Sequence, residues 1–419
     1  MKLLSLILVF ASTLSAACAE ANNWYDRGNA GFVLACAGKK PVVLDLHENS
    51  TRQLGKIQFS SATTVTAKAL DIISRLDSYD GGRAAQYKSW ALSFFNEAQW
   101  IHDAAFNQTP DLGMVIIPND CRLEQVIFQR NPSVLNKTRY MIDENLWSQL
   151  DSDNQAALIV HEIIYREFMN SVTKELASER IRIFNLVAHT NALQGLTLPE
   201  YIALLQELHF TSYISQNLKF TIGFASYDKG WLNLPLTLNA DGNVIKGTLA
   251  AQQTFIRKHI SYSCNTTELA ALGLVKLDDN GTLRTLNVQD DFDTHLCGLP
   301  FTTIPGDDGP ITISGTVWSF DENEQPLYIS GVPDRAHHSF TYKGTTYEVQ
   351  TSALQQEAYS ATYYFDSALN LTALDLGGNA CRNEKTRHVV FSRTTSPASA
   401  LVLSLDTQGN LKSSIPSCY

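Results

Sequence analysis

Five short stretches in the second half of the chain share one pattern, and that pattern restricts the possible fold more than any other feature. They are LTLNADGNVI around Asn239, LVKLDDNGTL around Asp278, VWSFDENEQPL around Asp321, TYYFDSALNL around Asp366 and VLSLDTQGNL around Asp406. Each closes an apolar run with Asp or Asn, crosses a polar loop that often holds Gly, and resumes at Leu or Val. Asp and Asn side chains accept backbone N–H groups in tight turns, and Gly permits positive φ, so each stretch is expected to be a hairpin tip. The tips are 39, 43, 45 and 40 residues apart. A period of about 42 residues suits a propeller blade or a two-hairpin β repeat. The tips share no further signature, and residues 268–275 and 352–359 look like short helical insertions. Both observations favour a β-sandwich or an irregular sheet of repeated hairpins over a closed propeller. Residues 213–419 are therefore expected to form an all-β domain.

The first half has a different texture. GFVLACAGKKPVVLDLHE reads as two strands around the turn Ala37-Gly38-Lys39-Lys40. Helices are expected over 64–79 and 82–106, the second with Trp90, Leu92, Phe94, Phe95 and Trp100 on an apolar face. GMVIIP and EQVIFQR suggest a short strand pair. From Glu144 to Phe210 the chain turns helical again, with Pro199 placed to open a new helix in TLPEYIALLQELHF. Residues 20–212 thus read as an α+β domain. A chain of 419 residues exceeds what one core usually organises, which agrees with two domains.

The start of the chain, MKLLSLILVFASTLSAACAE, has Lys2, an apolar run from Leu3 to Phe10, and an A-x-A site at Ala17-Cys18-Ala19. These are the parts of a secretory signal, so residues 1–19 are expected to be removed before Glu20. Ser15-Ala16-Ala17-Cys18 is also a loose lipobox, which leaves open an acylated Cys18 as a lipid anchor. Either route means export, to the periplasm, the outer membrane or the medium. Six further cysteines, Cys36, Cys121, Cys264, Cys297, Cys381 and Cys418, form an even set in an oxidising compartment. Up to three disulfides are expected, and spacing does not choose among the pairings. Cys36 and Cys121 are alone in the first half, so they are the first pair expected. The formal charge of −10, without Lys/Arg runs, argues against nucleic acid as a partner. No apolar stretch has the length of a transmembrane helix.

One helix raises a question of chemistry. QAALIVHEIIYRE, from Gln155 to Glu167, begins like the zinc-binding helix of a metallopeptidase. Such a helix needs histidines at i and i+4 with glutamate between them as general base. Here His161 and Glu162 fill the first two roles and Tyr165 stands in the third. A phenol with an ordinary pKa of about 10 is a poor substitute for imidazole. His189, His209, Glu175 or Glu179 would have to complete such a site. Against it stands a structural reading, in which Ser152 to Gln155 form a capping box, His161 is a hydrogen-bonded core residue, Glu162 pairs with Arg166, and Tyr165 packs beside them. DDFDTH at 290–295 and PGDDGP at 305–310 are weaker cation candidates without EF-hand spacing. His337 and His338 would face opposite sides of a strand. The chain has no G-x-S-x-G elbow, P-loop or dinucleotide fingerprint.

GNAGFVLAC, PVVLDLHE with Asp45 and Glu48 in an LLD-x-x-E-like element, and the QAAL-x-x-HE helix together resemble a group of exported proteins of predatory and related Gram-negative bacteria. The resemblance covers most of residues 24–185, and it extends to turns such as LNADGNVIKGTLA. It implies an envelope or secreted location and supplies no activity. The leading expectation is a non-catalytic exported protein that binds a partner protein or an envelope polymer without a cofactor. The alternative is an exported zinc peptidase in which His161 and Glu162 are catalytic.

Overall fold

The computed structural model describes residues 31–102, 115, 117–132, 137–170, 178–215, 217–226 and 230–250, followed by a succession of strand segments between 252 and 417. The chain divides into two compact units, Met1–Ile214 with Ala225–Trp231, and Ser215–Phe224 with Leu232–Tyr419.

The first unit is α+β. Its strands and helices run β1 (Phe32–Cys36), β2 (Val42–Val43), α1 (Leu44–Arg52), α2 (Val65–Ser74), α3 (Gly81–Ser93), β3 (Ala98–Ile101), β4 (Cys121–Gln125), β5 (Ile127–Gln129), β6 (Tyr140–Asp143), α4 (Glu144–Gln149), α5 (Ser152–Met169), α6 (Glu179–His189) and α7 (Leu198–Glu207). One small sheet has the order β2-β1-β4, and the other has the order β3-β6-β5 with β3 and β6 parallel. Helix α5 is the centre of the core. Every residue from Ala156 to Tyr165 is buried, so the helix is enclosed on all sides rather than along one stripe.

Several sequence expectations shift in register or type. The Val42-Val43 run does pair with β1, but after two residues it becomes α1, so Leu44 to Glu48 is helical and not strand. Most of the pairing of β1 is with β4, where Cys36 lies opposite Cys121 and the two form a disulfide with Cα atoms 4.0 Å apart. The helix expected to reach residue 106 ends at Ser93, and residues 103–106 lie outside the described residues. Trp100 stands instead on β3, half-exposed, while Phe94 is buried and Leu92 points to solvent, so the five apolar residues do not share one face. Of GMVIIP, Val115, Ile117 and Pro118 are described and are not in a strand. EQVIFQR is split at Val126 between β4 and β5. The cap of α5 is Asp151, one residue earlier than expected, accepting from the Asn154 N–H, and Gln155 donates to the Trp147 carbonyl. At α7 the Thr197–Glu200 capping box and Pro199 open the helix as the sequence suggests.

The second unit is dominated by one large antiparallel sheet. In chain order the strands used below are β7 (Leu218–Thr221), β8 (Val244–Leu249), β9 (Gln252–Arg257), β10 (Ile260–Asn265), β11 (Gly273–Leu277), β12 (Leu283–Val288), β13 (Cys297–Gly298), β14 (Gly315–Phe320), β15 (Pro326–Gly331), β16 (Ala361–Phe365), β17 (Leu371–Asp375) and β18 (Leu403–Ser404). The long sheet pairs β7-β8-β11-β12-β14-β15-β16-β17-β18 in sequence order. A propeller would divide such strands among separate blades; here they form one continuous sheet. The segment from Gly273 to Val275, expected as part of a helical insertion, belongs to β11. Residues 268–272 and 352–359 lie outside the described residues.

All five Asp/Asn positions are hairpin tips of one geometry. The residue's N–H donates to the carbonyl four residues on, and its Oδ1 accepts the N–H of that same residue. At Asn239, Asp278, Asp321 and Asp406 the same oxygen also accepts the N–H two residues on. One side-chain oxygen thus satisfies two turn donors at four tips and one at Asp366, which is the physical reason for Asp or Asn at these positions.

Candidate functional site

Three helices and a strand converge on His161 and Glu162. Helix α5 carries both residues, α1 supplies Asp45, α6 supplies Asn185, and β5 supplies Gln129. His161 Nδ1 lies 2.7 Å from Asp45 Oδ2, both side chains 1% exposed. The same carboxylate accepts from Asn185 Nδ2 at 2.6 Å. An acceptor already bound by an amide fixes the imidazole tautomer with its proton on Nδ1. Burial alone would raise the Asp45 pKa, but the His161 charge, the hydrogen bonds from His161 and Asn185, and Arg182 together hold it below the ordinary carboxylate value. Burial opposes a charged His161, yet Asp45 outweighs it and raises the imidazole pKa.

Glu162 points elsewhere. Its Oε2 accepts from Gln129 Nε2 at 2.7 Å, and burial pushes its pKa up to about 7 against an ordinary 4.5. A Cβ on Gly31 would come within 2.8 Å of Glu162 Oε1 and 2.9 Å of Ile127 Cβ, and Gly31 sits at φ +59°. Only glycine fits there, and its backbone closes one side of the carboxyl group. The site is therefore enclosed by backbone as well as by side chains.

The arrangement has one feature in common with catalytic and metal-binding histidines: Nδ1 is held by a carboxylate, which leaves Nε2 as an acceptor in the neutral ring and a donor once the ring is protonated. His161 Nε2 and Glu162 Oε1 are buried with no hydrogen-bond partner among the described residues. Among the described residues the donor set falls short of the three protein ligands of a catalytic zinc. Tyr165 is 1% exposed in the core, and no group of three or more His, Cys, Asp or Glu side chains suited to a metal occurs among the described residues. His189 donates from Nδ1 to the Asn185 carbonyl, and burial lowers its pKa to about 4. His209 stacks on Trp231 with ring centroids 4.2 Å apart. Glu179 pairs with Arg52 at 3.0 Å, and Glu175 lies outside the described residues. Of these, Glu179 is held in an ion pair, whereas His189 is bonded through Nδ1 and its Nε2, like that of His161, is buried with no hydrogen-bond partner among the described residues.

The expected Glu162–Arg166 pair is not formed. Arg166 binds Glu97 at 3.1 Å and lies over the Trp90 ring, while Glu162 faces Gln129. A second buried cluster lies near the C-terminal end of α5, where Arg83, 0% exposed, contacts Asp80, Glu167 and the Ser212 carbonyl. A third joins Glu48, 6% exposed, to Arg182 at 3.0 Å and Arg52 at 2.8 Å. Asp45 and Glu48 were visible in the sequence only as parts of a motif. Their three-residue spacing puts them on one face of a helix, a signal lost when the segment is read as a strand. Asn185 and Gln129 carry no sequence signal of their own.

Of the weaker candidates, 290–295 and His337–His338 lie outside the described residues, as do Asp307 and Asp308. Pro305, Gly306, Gly309 and Pro310 belong to the hairpin Thr302–Gly306 with Gly309–Ile313. No helix among the described residues is long and apolar enough to cross a membrane. Comparison with family models, with curated proteins and with solved structures gave no match.

Proposed function

We propose that the chain is an exported, non-catalytic protein in which a closed α+β scaffold carries a β unit that binds a partner protein or an envelope polymer. The observation that carries this reading is the enclosure of the two candidate catalytic residues: His161 is 1% exposed and Glu162 0%. A peptidase must bring a peptide bond and a water to these groups, and a sealed pair offers neither access. The signal-like start and the even set of cysteines support export, with cleavage before Glu20 or acylation at Cys18 as the two processing routes. The five tips of the long sheet offer a repeated surface on which extended ligands can be met in register.

A second reading, a zinc peptidase, draws on the buried His161 Nε2 and Glu162 Oε1 that lack partners among the described residues. Elemental analysis of protein purified without chelators separates the two. The binding reading predicts less than about a tenth of an equivalent of zinc, since a catalytic zinc ordinarily takes three protein ligands. About one equivalent of zinc, lost in His161→Ala together with a peptidase activity, overturns it.

A further inference from the structure

We propose that Cys264 and Cys297 form a second disulfide, on the ground that the backbone register of β10 and β13 places them directly opposite each other in an antiparallel pair. Side chains alternate in step on antiparallel strands, so opposed residues share a face of the sheet. Opposed Cα atoms stand about 4.5–5.5 Å apart, within the span of about 4.4–6.8 Å that a disulfide bridges. The first unit contains the same relation, since Cys36 and Cys121 are register partners of β1 and β4 and are bonded. Sequence spacing leaves the pairing of six cysteines open; strand register selects one partner for each of these four.

The position gives the bond a structural role. Strands β11 and β12 and the Asp278 tip all lie in the chain between the two cysteines. The bond closes a covalent ring around one hairpin of the long sheet and anchors its base to the small sheet β9-β10-β13. It shortens the unfolded chain's reach around that hairpin, which favours the folded form.

Formation needs an acceptor for two electrons, and a disulfide such as oxidised glutathione supplies it. The Cys264 thiolate attacks one glutathione sulfur, expels one glutathione thiolate and leaves a mixed disulfide. The Cys297 thiolate then attacks the Cys264 sulfur and the second glutathione thiolate departs. Two cysteine thiols and one oxidised glutathione become one protein disulfide and two reduced glutathiones, with the protons passing to solvent or to the released thiolates. The pairing rests on the exported reading only for the supply of oxidant in the cell.

The test is a non-reducing peptide map of the full chain, folded and equilibrated with a glutathione redox buffer, then alkylated in denaturant and cut with trypsin. Cys264 falls on peptide 259–276 and Cys297 on peptide 285–335, each without a second cysteine. The expected result is one linked species of these two peptides that separates on reduction, with no alkyl label on either cysteine. Label on Cys264 or Cys297, or linkage of either to a different cysteine, overturns the proposal. Because the oxidant is supplied in the tube, a reduced pair in protein taken directly from cells would count against export and leave this result to decide the pairing.

Discussion

The two units differ in where their most repeated polar side-chain contacts are made, although neighbouring tips of the β unit are also joined, as where Leu283 N–H donates to Glu324 Oε1 at 3.0 Å. In the α+β unit the partners are distant in sequence and buried: Asp45 meets His161 and Asn185, and Arg83 meets Ser212. In the β unit the repeated polar contacts are local and lie at turns, as where Asp278 Oδ1 accepts from Asn280 and Thr282 at 3.0 and 2.9 Å. A distant buried contact forms only when several elements have packed around it, and once formed it is costly to break. A local turn contact forms with its own hairpin and answers to water. Substitution in the first kind should therefore be felt through the whole unit, and in the second kind only nearby.

The largest effect is expected at Asp45. Asp45→Ala leaves His161 Nδ1–H buried without its acceptor and Asn185 Nδ2 with the Ala157 carbonyl alone, and a loss of about 3–5 kcal/mol is expected for such a break. Urea unfolding followed by the helical circular dichroism signal measures it; a loss under about 1 kcal/mol would remove the distinction between the two units.

Glu162→Gln is expected to act through pH. The Glu162 pKa is about 7 in the folded protein against an ordinary 4.5, so the folded state holds this proton where the unfolded state has released it. Its favourable contribution is complete below the ordinary value and is lost as pH rises through about 7. His189 works in the other direction, with a folded pKa near 4 against 6.5, so its contribution is present above 6.5 and is lost as pH falls toward 4. The difference between Glu162→Gln and wild type at each pH isolates the glutamate. The variant should gain on the wild type between about pH 4.5 and 7 and be at least as stable above that. A variant that is less stable at pH 8 would mean that the charged carboxylate is needed in the fold.

The smallest effect is expected at a tip. Asp278→Ala removes two backbone hydrogen bonds and a half-exposed ion pair with Arg284 at 2.8 Å, all at a turn that water reaches, for a cost of about 1 kcal/mol. Hydrogen exchange should speed up at Asn280 and Thr282 and stay unchanged on the distant hairpins. A loss as large as that at Asp45 would show the tips to be coupled along the sheet.

Legibility in the sequence follows the same division. Asn239, Asp278, Asp321, Asp366 and Asp406 were readable because their partners lie four residues away, and for all but Asp366 also two, inside the same quoted stretch. Thr197, Pro199 and Glu200 were readable for the same reason. The Asp45–His161 contact was not, since a residue in a short segment after Val42-Val43 had to be known as helical before its facing side could be named. Glu162 and Arg166 have the spacing of a helix ion pair, but α5 is enclosed, and Gln129 and Glu97 from other elements bind each more closely. Trp100 looked like the continuation of an apolar helix face, whereas parallel pairing of β3 with β6 claims that segment for a sheet. Local chemistry survives in the string of residues; enclosure does not.

The central claim is that His161 sits in a sealed structural network, and its reactivity in the native protein tests this most directly. Native protein treated with diethyl pyrocarbonate at about pH 8, then digested and analysed by mass spectrometry, reports each histidine separately. His102, whose side chain is 75% exposed, serves as the accessible control. His161 is expected to remain unmodified while His102 reacts, and to react once the chain is unfolded in urea. Modification of His161 in the native protein at a rate close to that of His102 would contradict the sealed site and return the helix to the catalytic reading.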